Sequence, residues 1–156
     1  LGGNPRILAY AVRAGNLTVC DYRLADCGAA CTVAGTCSAS WVPIANNIVS
    51  LRAEYGHAST AVSGVDSWDK TTPVNASQAT LACLWARTTA LRIAIVARNS
   101  QVDRDQITAA APTWAGSGSA ATNIDLSARA NWQNYRYKVF ETVVPLRNLP
   151  WMSACT

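Results

Sequence analysis

Hydrophobic and polar positions alternate most clearly near the C-terminal end of the chain, over residues 135–148, YRYKVFETVVPLRN. β-Branched and aromatic residues crowd this stretch and no breaker interrupts it before Pro145, so it predicts a long β-strand. Tyr135, Tyr137, Val139 and Val143 fall on one face, with Phe140, Val144 and Leu146 on the other. The second half is apolar on both faces and so predicts a strand covered on both sides. Glu141 stands between Val139 and Val143, where a carboxylate is costly unless it is paired or kept in water. Arg52 and Arg92, each following a leucine in a similar SLR or ALR context, are its expected partners.

The same alternation marks residues 91–98, with Leu91, Ile93 and Ile95 on one face and Arg92, Ala94 and Val96 on the other. Residues 6–12, RILAYAV, and 16–22, NLTVCDY, flank Arg13-Ala14-Gly15 and predict a β-hairpin. Over residues 44–55 two periodicities compete, a short helical turn against a strand. Residues 73–82 suit a partly helical segment. Pro112 and the run Gly116-Ser117-Gly118-Ser119 make 102–123 a long surface loop. Residues 125–132, DLSARANW, allow one or two helical turns capped by Asp125. Strands joined by loops, without long helices between them, indicate antiparallel sheet in a mostly β, α+β-type fold.

Composition narrows the class. A chain of 156 residues with 50% hydrophobic and 14% charged residues is one domain's length and globular rather than disordered. Eleven arginines and two lysines against nine acids give a net charge of +4, but the bases are scattered, and a nucleic-acid stripe needs clustering. The chain starts at Leu1 and its one methionine is Met152, so it is expected to be a piece of a longer protein. It contains no apolar run of the roughly 18 residues a membrane-spanning helix needs.

Six cysteines indicate an oxidising compartment. Cys20, Cys27, Cys31 and Cys37 lie close together while Cys83 and Cys155 are remote. A zinc site is disfavoured, because the close group lacks a C-x-x-C pair and His57, the only histidine, is distant. Spacing leaves the connectivity open. Grouping favours bonds among the close four and one between Cys83 and Cys155, stapling the loop at 21–40, which has little else to order it.

Candidate chemistry is sparse. His57 falls in a polar loop, 56–72, with Asp66 and Asp69, and no nucleophile elbow lies near it. A surface role for His57, no catalytic activity and no cofactor are expected. Of the six tryptophans most suit a core, but Trp68 and Trp114 lie outside clear strands and are candidates for contact with a partner.

Three segments carry a family resemblance: WVPIANNIVSLRAEYG at 41–56, WARTTALRIAIVARN at 85–99, and YRYKVFETVVPLRN followed by Trp151. In this order they resemble PilW-type minor pilins. The resemblance implies a pilin-like head domain with a strand ending at Tyr55, and an N-terminal helix that lies outside this chain, together with the head's first strands. It implies a non-enzymatic role in starting type IV pilus assembly, with other minor pilins and a PilY-type tip adhesin as partners. The head would be periplasmic before assembly and extracellular near the pilus tip after it, touching the membrane only through the absent helix.

In PilW-like proteins the loop at 56–72 resembles an acidic calcium loop. Here its carboxylates are only Asp66 and Asp69, too few for an ion that takes six or more oxygens. A J-type pseudopilin of a type II secretion system is the rival reading. A secreted carbohydrate-binding module, resting on the tryptophans and cysteines, is a third.

Overall fold

The computed structural model describes residues 6–29, 40–59, 64–75, 77–116 and 122–146. The chain divides into two compact units. One comprises Leu1–Leu51, Val96–Ala110 and Leu126–Lys138, and the other Arg52–Ile95, Ala111–Asp125 and Val139–Thr156.

In the first unit the predicted hairpin forms from β1 (Leu8–Arg13) and β2 (Asn16–Asp21), antiparallel from Leu8↔Asp21 to Arg13↔Asn16. Its two-residue turn, Ala14 and Gly15, has φ of 47° and 78°. Two left-handed residues give the turn a twist that matches the strands, at no steric cost for Gly15 but at some cost for Ala14. β3 (Val42–Asn46) lies on the far side of β2, giving the order β1-β2-β3. One face of this sheet is the core. Cys20, Cys27 and Trp41 are buried there against Ala9, Ala11 and Ala25. The Cys20–Cys27 disulfide closes the start of the expected stapled loop. Thr18, buried beside them, donates its hydroxyl to the Ala11 carbonyl at 2.8 Å, and the Arg13 guanidinium stacks on Trp41 at 4.3 Å.

The long strands are β4 (Ile48–His57), β6 (Thr88–Arg98) and β9 (Tyr137–Pro145), which with short β5 (Ser67–Asp69) follow the order β5-β4-β6-β9. The contest over residues 44–55 resolves as strand, broken at Asn47, whose φ is 60°. Helix α1 (Gln78–Ala86) begins where the Ser77 side chain accepts from the Thr80 amide. Trp85 on this helix meets Tyr55 edge-on, ring centres 5.8 Å apart. Among the described residues no helix is long and apolar enough to cross a membrane.

The two faces read for β6 hold, and the buried one carries Ala90, Ala94 and Val96, while Leu91, Ile93 and Ile95 are half-buried. Other expectations need correction. The C-terminal strand is shorter than 135–148, and Phe140, Val143 and Val144 are exposed, so two-sided cover does not form. Alternation says which side chains share a face, not whether another layer lies on it. The loop at 56–72 is partly strand: His57 ends β4, and β5 pairs with it through Tyr55↔Asp69 and His57↔Ser67. The surface loop at 102–123 contains β7 (Thr113–Trp114) and β8 (Thr122–Asn123), paired antiparallel. Over residues 125–132 no α-helix forms. Asn131 is left-handed at φ 55°, which an α-helix does not accommodate, and only a 3₁₀ turn at Trp132–Asn134 comes after it.

Candidate functional site

The densest set of charged and aromatic side chains lies in the second unit, on five strands. Period-2 alternation places Glu54 of β4 on the same strand face as buried Ile48 and Ser50. Its side chain is 1% exposed. Arg92 of β6 donates from Nη1 to Glu54 Oε2 at 3.5 Å, and Lys70, just past β5, brings Nζ to 3.9 Å from Glu54 Oε1. Arg92 also faces β9, with Nε 3.5 Å from Glu141 Oε1. That approach is a charge contact, not an aligned hydrogen bond. The other Glu141 oxygen accepts the Trp114 indole N–H at 2.8 Å.

Indoles complete the arrangement. The Arg92 guanidinium lies 4.3 Å from the Trp68 ring centre and the Lys70 ammonium 5.7 Å from that of Trp114. Both are cation–π contacts, which strengthen as water is excluded. Gly116, at φ 58°, lets the backbone pass directly over Glu54, since a Cβ there would sit 2.8 Å from the carboxylate carbon. Two carboxylates and two cations balance in charge, and each anion touches a strand other than its own. The chemistry of such a set is mechanical: it ties β4, β5, β6, β7 and β9 together and fixes how they meet.

A second group lies at the end of β4. His57 Nε2 is 3.1 Å from Asp69 Oδ2, and Nδ1 is 3.3 Å from Thr88 Oγ1. A carboxylate, an imidazole and a hydroxyl in line have the order of a hydrolytic triad. Thr88 is completely buried, however, and donates its hydroxyl to the Leu84 carbonyl at 3.2 Å. No substrate carbon reaches it. Asp66 accepts from the Ser59 amide and hydroxyl, both at 2.6 Å, and so holds its own turn. An open cleft of about 400 Å³ borders His57, Asp69, Thr71, Thr72 and Leu84.

The predicted site residues are thus partly brought together. Glu141 meets Arg92, whereas Arg52 is exposed and makes no ion pair among the described residues. Trp114 is buried at 4% exposure, and Trp68 is half-buried with the Arg92 guanidinium over its ring. The reason is local: β7 and β5 carry them inward, where loops had been expected. His57 is a strand residue with two side-chain contacts instead of a loop residue. Cys83 is also disulfide-bonded, while Cys31, Cys37 and Cys155 lie outside the described residues. Sequence reasoning missed Glu54 and Lys70. For Glu54 alternation gave no signal, since exposed Arg52 shares its strand face.

No curated protein and no solved structure matches the chain. The family described as Type IV Pilus-assembly protein W matches residues 10–148. That span includes the whole carboxylate network and the three segments from which the resemblance was drawn. The chain therefore belongs to the PilW family of type IV pilus assembly proteins.

Proposed function

We propose that this chain is the head of a minor pilin that, packed against other minor pilins, primes type IV pilus assembly without any catalytic step. The observation that carries the reading is the extent of the family match, 10–148, which takes in both units. A packing role agrees with the chemistry of the second unit. Glu54, Lys70, Arg92 and Glu141 are spent on each other, while Phe140, Val143 and Val144 of β9 offer apolar contact to a neighbour. The partners are other minor pilins and a PilY-type tip adhesin, and the head is held at the inner membrane by a helix outside this chain before it enters the pilus near the tip. It uses no cofactor.

Deleting the gene tests the role. Surface pili are expected to disappear or fall sharply while the major pilin is still made, as seen by electron microscopy and immunoblotting of sheared surface fractions. Normal pili in the deletion strain would remove the priming role. Normal pili with lost secretion of folded exoproteins would transfer the head to a type II secretion pseudopilus.

A further inference from the structure

The β1-β2-β3 sheet buries one face on Cys20 and Trp41, and its other face lies open. By alternation the open face carries Leu8 and Tyr10 of β1, Val19 and Asp21 of β2, and Val42 and Ile44 of β3. Register sets Leu8 beside Asp21 and makes a row of Tyr10, Val19 and Val42 across the three strands. Tyr10, Val42 and Ile44 are each more than half exposed. With Leu24, 86% exposed at the edge, they line a groove of about 410 Å³. Contiguous apolar surface rimmed by polar groups marks an interaction site.

The rim says what fits. Arg6 and Asp21 both line the groove, Arg6 on the β1 side and Asp21 on β2. Among the described residues neither makes an ion pair, and Asp21 uses one oxygen to accept the Arg23 amide at 2.9 Å. A rim of one sign would repel its own copy. One charge of each sign on adjacent strands makes the face complementary to itself.

We propose that this face is a two-fold symmetric interface between two copies of this chain. With the axis in the interface plane, along the strands and between β1 and β2, rotation keeps like ends together and exchanges the two sides. Leu8 of each copy then stands opposite Asp21 of the other, with Arg6 two residues further along the same edge and within reach of that carboxylate through its long side chain, and the Tyr10 and Val19 columns meet sheet on sheet. The apolar rows supply the attraction, and the paired rim charges select the orientation.

Sedimentation equilibrium of the purified 156-residue chain reads the association directly. The chain is expected to dimerise in the micromolar range, and Tyr10→Lys to leave a monomer with an unchanged melting temperature, because Tyr10 is exposed. Arg6→Asp alone and Asp21→Arg alone should each weaken self-association at least about tenfold, by setting like charges face to face. Mixed together, the two variant chains should pair with each other, since every rim contact is then complementary again. If Asp21→Arg disturbs the turn at Arg23, Arg6→Asp and Tyr10→Lys still decide the matter. A chain that stays monomeric to roughly millimolar concentration, or a dimer indifferent to these substitutions, overturns the proposal and leaves the face to a different pilus component.

Discussion

Glu54 and Glu141 sit on the same arginine yet differ in what they are worth. Glu54 is withdrawn from water and held by part-buried Arg92 and exposed Lys70, so Glu54→Gln weakens a charge-assisted contact on a buried side chain and is expected to cost roughly 1.5–3 kcal/mol in urea unfolding. Glu141 is 42% exposed, and Glu141→Gln, which still offers Trp114 an acceptor, should cost under about 1 kcal/mol. The reverse order would show that β9, not β4, anchors the network. Tyr137 gives a pH signature. Burial raises its phenol above the ordinary 10.0, against the opposing pull of Arg98 and Arg129, and its hydroxyl donates to the Trp132 carbonyl at 2.9 Å. The fold therefore favours the protonated phenol. This contribution is fully present below pH 10 and is lost as pH rises through the higher folded value. Tyr137→Phe is expected to flatten the alkaline fall in melting temperature between about pH 9 and 11, and an unaltered fall would assign it to other groups.

At the level of the element, the β1–β2 turn holds a removable strain. Ala14 adopts a left-handed conformation that disfavours a Cβ, while the following Gly15 does not suffer from it. Ala14→Asn, which creates the pair preferred in this turn, should raise stability by about 1 kcal/mol, read from the denaturation midpoint. A loss would mean that the Ala14 side chain makes a contact worth more than the strain. β6 teaches a different lesson. Its alternation was plain in the sequence, but the inward face proved to be Ala90, Ala94 and Val96, with Arg92 among them. Small residues there leave room for the Glu54–Arg92 pair and its indole neighbours, which bulky side chains would displace.

For the whole molecule the exposed part of β9 separates folding from assembly. Because Phe140 is 57% exposed, Phe140→Asp should shift stability by no more than about 0.5 kcal/mol. If β9 packs against another pilus subunit, the same substitution should sharply reduce piliation in a complemented deletion strain. Full piliation with Phe140→Asp would move the contact surface elsewhere. Unfolding of the purified variant would show that Phe140 supports the head itself.

Local chemistry alone determined the hairpin, the β6 strand, the oxidised cysteines at 20 and 27, and the three segments that carry the family pattern, because turn residues, period-2 alternation and cysteine grouping act over a few neighbouring positions. Tertiary structure alone decided which face of β6 turns inward and that β9 stays uncovered. It also decided that Trp68 and Trp114 pack against Arg92 and Lys70 respectively, and that the buried carboxylate is Glu54. These outcomes depend on residues far apart in the chain: Glu54, Arg92 and Glu141 share a charge network only because three strands stand side by side. Alternation offers two faces for each strand, and the choice between them is made by whatever the rest of the fold can place against each one.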